Sequence, residues 1–319
     1  MVKFFFSSDL HGSEVVFNKL INAASFYNVK HIIVGGDLTG KILVPIVKDS
    51  NNIYKLNMFG EQKKVKEKEL EDVKHELRAA GEYYTVMEKE EYEAVADNKE
   101  KMQELFLKEV ISSLAQFIEK ASNKLRPLGA KIYIMPGNDD FEQVADFLEK
   151  NANESVVSLD GKIVDIEGYE FLGYGYSNPT PWHTPREKEE DTIYKELKRL
   201  AEKVEQEKSV FVIHPPPIDT KIDKAPKLDS ELRQEISAGY MNVVSAGSVS
   251  VRRIIEEYAP IAGFHGHIHE SAGIDYIKAK NGRMVPVLNP GSAYSSGMLN
   301  GIIAEIEDGK LTKYNFTRG

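Results

Sequence analysis

Residues 3–37 of the chain read KFFFSSDLHGSEVVFNKLINAASFYNVKHIIVGGD. Residues 3–7 are a short apolar run, which predicts a buried strand. Residues 14–27 carry apolar side chains at helical spacing, and residues 31–34 form a second apolar run that ends in Gly-Gly-Asp. A strand, a helix and a strand within about 35 residues predict a βαβ unit and therefore a parallel sheet.

The same alternation of apolar runs and amphipathic segments returns after residue 130. It predicts helices at residues 141–150, 187–205 and 251–258, and strands at residues 131–135, 209–213, 261–264, 285–288, 301–306 and 311–316, with short strands around Val156, Ile163 and Phe171. The sequence has no internal repeat and no flexible linker, so we expect residues 1–319 to form one α/β domain.

A highly charged segment interrupts this pattern. Half of the residues between 61 and 110 are charged, 25 of 50, and residues 101–125 have the apolar spacing of an amphipathic helix. The pattern predicts a charged helical insertion over residues 50–125. Two interpretations remain open at this point, a solvated helical segment or a cap over the active site that could also join two copies of the chain.

Composition excludes several classes of protein. The chain has no cysteine, which excludes disulfide scaffolds, iron–sulfur clusters and thiol nucleophiles. No apolar run approaches the length of a membrane span, so we expect a cytoplasmic protein without a membrane partner. The formal net charge of −9 argues against binding a long nucleic acid, although bound metal ions could still attract a small phosphoester.

Groups that could bind a metal follow the predicted strands, at the point where each strand ends. These residues are Asp9, His11, Asp37, Asn138, His214, His267 and His269. The carboxyl ends of parallel strands share one edge of a sheet, so we expect the seven side chains to converge. Carboxylate, imidazole and amide groups suit divalent metals, and seven ligands suit two ions that share one carboxylate.

Each motif has a simpler interpretation when it is taken alone. Asp-x-His and Gly-Gly-Asp are common in helix caps and turns, and a single His214 could be a core histidine. The three histidines at 265, 267 and 269 are harder to explain this way, because histidine makes up only 8 of 319 residues. Their clustering favours a metal site.

Together these motifs resemble the calcineurin-like metallophosphoesterases. The resemblance rests on Asp9-Leu10-His11, Gly36-Asp37, Gly137-Asn138, His214, Gly266-His267-Ile268-His269 and Asn289-Pro290-Gly291-Ser292, which occur in the order of that family. It implies a two-sheet sandwich flanked by helices (α/β/β/α). It also implies two divalent ions, Mn²⁺ in first place with Fe, Zn, Ni or Mg as alternatives, and a metal-bridging hydroxide as the nucleophile.

The resemblance also implies a role for each ligand. Asp9, His11 and His269 would hold one ion. Asn138, His214 and His267 would hold the other, and Asp37 would bridge the two.

The chain departs from the family at one catalytic position. Active members usually have a histidine directly after the asparagine, and here that residue is Asp139. An ionised aspartate is a poor proton donor and would repel a phosphoryl oxygen, unless it points away as a structural cap. His183 is a second candidate donor, although a histidine in such a loop is commonly a surface residue. Asp140 is expected to orient the ligands.

We therefore expect a metal-dependent phosphoesterase that hydrolyses small phosphodiesters or activated phosphoesters. A protein or nucleotide phosphatase is an alternative, and so is a nuclease that acts on a short substrate. An alternative from another class is a catalytically weakened scaffold that keeps the metal site for binding. The intact ligand set argues against the scaffold, and Asp139 argues for it.

Overall fold

The structure is a computed structural model that describes residues 1–49, 52–229, 231–237 and 240–319. The helices are α1 (Glu14–Phe26), α2 (Leu70–Ala80), α3 (Lys89–Val95), α4 (Lys99–Leu125), α5 (Glu142–Asn151), α6 (Glu190–Ala201) and α7 (Val249–Tyr258).

The strands, in chain order, are β1 (Val2–Ser7), β2 (His31–Val34), β3 (Leu43–Lys48), β4 (Ile53–Met58), β5 (Glu61–Lys66), β6 (Tyr83–Glu88), β7 (Lys131–Ile134), β8 (Val156–Ser158), β9 (Ile163–Ile166), β10 (Tyr169–Tyr174), β11 (Ser209–Ile213), β12 (Lys224–Pro226), β13 (Ile236–Ser237), β14 (Tyr240–Met241), β15 (Val243–Ser245), β16 (Ala262–Phe264), β17 (Gly273–Lys278), β18 (Met284–Asn289), β19 (Asn300–Glu307) and β20 (Lys310–Arg318). The predicted elements outside the insertion are present, with shifts of a few residues at some ends.

Two six-stranded sheets form the centre of the molecule. Their strand orders are β20-β19-β1-β2-β7-β8 and β17-β18-β16-β11-β10-β9. The neighbours β1, β2 and β7 are parallel in the first sheet, and β10, β11, β16 and β18 are parallel in the second. This parallel core is what the βαβ pattern predicts.

The strand β1 shows how the sequence produces the layers. Successive side chains of a strand point to opposite faces. Phe4 and Phe6 pack between the two sheets, against residues such as Phe264 of the second sheet, whereas Phe5 packs on the opposite face with α1 and α4. The helices α6 and α7 cover the outer face of the second sheet. The α/β/β/α sandwich expected from the resemblance is therefore confirmed.

The predicted helical character of the insertion holds for α2 but is wrong for residues 53–66 and 83–88, which form strands. Strands β3 to β6 form a separate four-stranded sheet with the order β5-β4-β3-β6. Its own small core contains Ile46, Tyr54, Leu56 and Leu77. Strand β5 reads EQKKVK and lies at the edge of this sheet, where its side chains are largely solvated. This polar composition does not resemble a strand in the sequence, so β5 was not predicted. The predicted start of the insertion at residue 50 lies outside the described residues.

Helix α4 agrees with the predicted amphipathic helix, but it is part of the main body. Its residues Val110, Leu114 and Phe117 are buried in the same apolar cluster as α1 and the first sheet. Segments that were not predicted also include β12 to β15 and β17. No helix in the part of the chain that the structure describes has both the length and the hydropathy to cross a membrane.

Candidate metal centre

All seven predicted ligands meet at one edge of the sandwich. Asp9 and His11 follow β1, Asp37 follows β2, and Asn138 follows β7, all in the first sheet. The other three follow strands of the second sheet, His214 after β11 and His267 and His269 after β16. The parallel strands of both sheets end here, which explains why residues far apart in sequence converge.

The first group of ligand atoms comes from Asp9, His11, Asp37 and His269, whose donor atoms all lie within 4.8 Å of one another. The Nε2 atoms of His11 and His269 are 3.0 Å apart. Asp9 Oδ1 lies 3.4 Å from His269 Nε2, and Asp37 Oδ2 lies 3.6 Å from His11 Nε2. A single cation between these atoms would contact all four side chains.

The second group lies on the other side of Asp37. The Nε2 atom of His214 is 3.3 Å from Asp37 Oδ1 and 3.0 Å from Asn138 Oδ1. Asn138 Oδ1 also lies 2.7 Å from His267 Nδ1. One carboxylate oxygen of Asp37 therefore faces each group, which is the arrangement that a bridging ligand requires.

The backbone at the site is strained. Asp9, His11, Asp37 and His267 have φ angles of 57°, 44°, 50° and 67°. Non-glycine residues seldom adopt the left-handed region, and such strain concentrates at functional sites. Backbone hydrogen bonds hold the first two turns together, since the amides of Leu10 and His11 both donate to the carbonyl oxygen of Asp37.

Two glycines allow the ligand loops to approach so closely. A Cβ atom at Gly137 would lie 2.2 Å from Asp37 Oδ1, and one at Gly266 would lie 2.3 Å from Asp9 Oδ2. Any larger residue would displace these carboxylates. The Gly-Asn and Gly-His pairs of the sequence motifs are explained by this contact.

Asp140 joins two of the loops, as its expected orienting role requires. Its buried carboxylate accepts hydrogen bonds from the amides of Leu38, Thr39 and Gly137 at 3.0, 2.8 and 2.7 Å. It also accepts one from the Thr39 hydroxyl at 2.6 Å. The loop that carries Asp37 is thereby fixed to the loop that carries Asn138.

Two ligands are oriented by groups behind them. His214 Nδ1 donates to the carbonyl oxygen of Gly35 at 2.8 Å, which leaves Nε2 facing the cluster. The amide nitrogen of Asn138 donates to the Thr184 hydroxyl at 2.9 Å, so that its Oδ1 points toward the histidines. Thr184 in turn donates to Glu187 at 2.6 Å. Thr184 was not predicted, because no pattern links it to Asn138.

The last motif of the resemblance supports the histidine loop. The Asn289 side chain donates to the carbonyl oxygens of Gly266 and Ile268, at 3.2 and 2.9 Å. The Ser292 hydroxyl donates to the carbonyl oxygen of Asp9 at 2.7 Å. These bonds fix the backbone on both sides of His267, in the second ligand group, and at Asp9, in the first.

The ligand set fits divalent cations. Burial lowers the pKa of His11 to about 3 and that of His267 to about 4, so both imidazoles are neutral and keep a free lone pair. Burial opposes ionisation of Asp9, but its contact with His269 lowers its pKa to about 2. Burial also opposes charge on His214, yet Asp37 raises its pKa to about 9, so a cation that binds at His214 Nε2 would displace a proton. Ionised carboxylates facing imidazole nitrogens form a cation site.

The two candidate proton donors, Asp139 and His183, line the same cavity as several of the metal ligands. Asp139 lines a cavity that opens from the metal site. Its carboxylate is paired with Lys41, and its amide donates to Asp37 Oδ1 at 3.0 Å. Burial and the charge of Asp37 raise the pKa of Asp139 to about 7, although Lys41 opposes the shift.

His183 also lines the cavity, on an exposed loop where its φ angle is 51°. Lys41, like Thr184, was missed at the level of the sequence. The one signal available was its position four residues after Asp37, which places it in the same loop.

Comparison with known proteins gives one curated relative, and no family model matches the chain. An uncharacterized protein of Methanocaldococcus jannaschii, MJ1162, is 35% identical over 150 residues. The match covers 46% of this chain and 60% of the relative, so the chain spans less than two thirds of the relative's length.

Solved structures show the same fold across the whole chain. TT1561 of Thermus thermophilus is 13% identical, covers 98% of both chains and has a TM-score of 0.51. Another crystal structure, 15% identical, covers 99% of this chain and 98% of its own, with a TM-score of 0.54. Weaker matches include an archaeal phosphodiesterase and a dimetal phosphatase from Danio rerio, with TM-scores of 0.40 and 0.41. The two structures with the higher TM-scores show that this fold recurs in solved proteins, and it is the α/β/β/α sandwich that the resemblance of the sequence motifs implied.

Proposed function

We propose that the protein is a metal-dependent phosphoesterase that hydrolyses small phosphodiesters or activated phosphoesters. The observation that carries this proposal is the position of Asp37, with one carboxylate oxygen facing each of two ligand groups. Two divalent ions, Mn²⁺ in first place with Fe, Zn, Ni or Mg as alternatives, would supply Lewis acidity and an activated water for attack at phosphorus.

The residues of the chain would hold the two ions and fix the distance between them. Asp9, His11 and His269 hold one side of the site, Asn138, His214 and His267 hold the other, and Asp37 fixes their separation. The backbone turns and Asp140 keep these groups in place before a substrate binds, which lowers the cost of reaching the reactive geometry. No protein nucleophile is required.

Charge at the centre favours a phosphoester. Two ligand carboxylates with two divalent ions leave a local charge of about +2, in a protein whose formal net charge is −9. Lys41 adds a cation beside Asp139. Among the described residues that line the cavity it is the only lysine or arginine, and this supports a small substrate over a long nucleic acid or a phosphoprotein.

The test is turnover of bis(4-nitrophenyl) phosphate and 4-nitrophenyl phosphate by the full chain, with each divalent metal added in turn. We expect metal-dependent release of nitrophenolate, faster from the diester. Asp37→Ala should abolish it, whereas Asp72→Ala, a matched change at an exposed position of α2, should not. Metal binding without turnover of either ester would support the scaffold alternative instead.

A further inference from the structure

The cavity beside the metal centre extends well beyond the space that a phosphoryl group needs. Its volume is about 930 Å³, and the metal ligands Asp37, Asn138, His267 and His269 line only one part of it. A pocket of this size can hold a complete small molecule. The remaining walls are therefore available to the organic part of a substrate.

Those walls are largely apolar and aromatic. Phe106 from α4, Phe141 and Trp182 contribute rings, and Pro181 and Val249 add aliphatic surface. The rings of Phe106 and Phe141 pack edge to face with their centroids 5.3 Å apart. Trp182 is 61% exposed, so the face of its ring is accessible to a ligand in the cavity.

The loop that carries Trp182 is held rigidly. The carboxylate of Glu187 accepts hydrogen bonds from the amides of Thr180 and Thr184 at 3.0 and 2.8 Å, and from both hydroxyls at 2.5 and 2.6 Å. These bonds bracket Trp182 on both sides. A loop that is ordered before binding loses little backbone entropy when a ligand stacks on its aromatic side chain.

Charge in the cavity limits the substrate to one phosphoryl group. Lys41 is already paired with Asp139. Among the described residues, the other charged side chains that line the cavity away from the centre are Glu190 and Glu270. The Glu190 carboxylate accepts hydrogen bonds from the amides of Val249 and Ser250, whereas Glu270 would repel a second phosphate, and none of these described residues offers that phosphate an unpaired lysine or arginine.

We infer that the substrate is a phosphoester with a single phosphoryl group and an uncharged, flat aromatic body that stacks on Trp182. This inference rests on the proposed phosphoesterase function. A nucleobase and a simple aryl group share this chemistry, and the cavity volume can hold either. Stacking orients the body so that the phosphoryl group reaches the metal centre.

The chain offers a direct probe, because Trp182 is its only tryptophan. The full chain loaded with Zn²⁺ is titrated with phenylphosphonate, cyclohexylphosphonate and methylphosphonate. Emission excited at 295 nm and calorimetry are both recorded. We expect phenylphosphonate to bind about three- to tenfold more tightly than cyclohexylphosphonate, which has similar size, and to change the emission. The non-hydrolysable 5′-phosphonate of adenosine tests whether a nucleobase can serve as the aromatic body. α,β-Methylene-ADP carries a second phosphoryl group and should bind more weakly than that phosphonate.

Variants separate stacking from folding. Trp182→Leu should remove the preference for phenylphosphonate over cyclohexylphosphonate and leave the affinity for methylphosphonate unchanged. Trp182→Phe should keep most of that preference. Tyr276 is an exposed aromatic residue outside this cavity, and Tyr276→Leu should change none of these affinities. Equal binding of phenyl- and cyclohexylphosphonate overturns the inference while diester turnover remains intact. Absence of both phosphonate binding and turnover overturns the proposed function, and this inference with it.

Discussion

The carboxylate of Asp139 is paired with the ammonium group of Lys41 at the edge of the metal cluster. In the family that the sequence resembles, the position of Asp139 is usually a histidine. The sequence alone predicts that an aspartate here repels a phosphoryl oxygen. The ion pair with Lys41 offsets the charge of Asp139, which would weaken this repulsion.

Replacing Asp139 by histidine should raise turnover of substrates with poor leaving groups. A single general acid is worth about 10²–10⁴-fold, and the gain should stay below this range because the new imidazole is not positioned for the task. Substrates with good leaving groups need no protonation and should gain little. The measurement is kcat/KM for both substrate types at saturating metal.

The matched control is Asp139→Asn, which removes the charge without adding a proton donor. It should release Lys41 and affect both substrate types alike. If Asp139→His also changes both types equally, Asp139 does not determine the preference for leaving groups, and the expected preference for diesters loses support.

Asp37 should affect both metal ions, whereas His11 should affect one. Asp37 contributes an oxygen to each ligand group, and His11 belongs to the first group only. Elemental analysis after gentle purification should give two ions per wild-type chain, about one for His11→Ala, and fewer than one for Asp37→Ala. A wild-type stoichiometry that remains at one with excess manganese would contradict the two-metal proposal.

Asp140 should control metal affinity without touching a metal. Asp140→Asn places an amide nitrogen opposite backbone donors, so the loops that carry Asp37 and Asn138 lose part of their connection. Changes behind metal ligands typically cost about 10–100-fold in affinity. Competition with a fluorescent chelator measures this loss. Thr39→Val removes only one of the hydrogen bonds to Asp140 and should have a smaller effect; an equal effect would refute the loop-fixing role.

Thr184 should act on the second ligand group alone. Thr184→Val removes the acceptor that orients the amide of Asn138, at a cost of about 0.5–1.5 kcal/mol, equivalent to about two- to tenfold in the affinity of one ion. Stepwise calorimetric titration with Mn²⁺ should show one weakened site and one unchanged site. Equal weakening of both sites would show that the effect spreads through the loop.

The positions of the ligands could be predicted because strand ends are visible in sequence as the points where apolar runs stop. Asp9, Asp37 and His214 were found in this way. Lys41 and Thr184 act through contacts made only after folding, and no local pattern marks them. The sheet formed by β3 to β6 was missed because the high charge of the whole segment, as in β5 (EQKKVK), was interpreted as helical. The strand-favouring residues of β3 and β6, such as Ile46 and Tyr84, were the signal that could have found it.

The two halves of the charged insertion should respond differently to equivalent changes. Leu114 of α4 is 1% exposed within the main core, and Leu56 of β4 is 5% exposed within the separate core of the four-stranded sheet. Each Leu→Ala change should cost about 2–5 kcal/mol within its own core. Leu114→Ala should lower the melting temperature of the whole protein and weaken metal retention. Leu56→Ala should mainly increase hydrogen exchange in β3 to β6 and leave the metal content intact, because the ligands lie on other elements. Loss of metal on Leu56→Ala as large as on Leu114→Ala would show that the four-stranded sheet and the main body unfold as one unit.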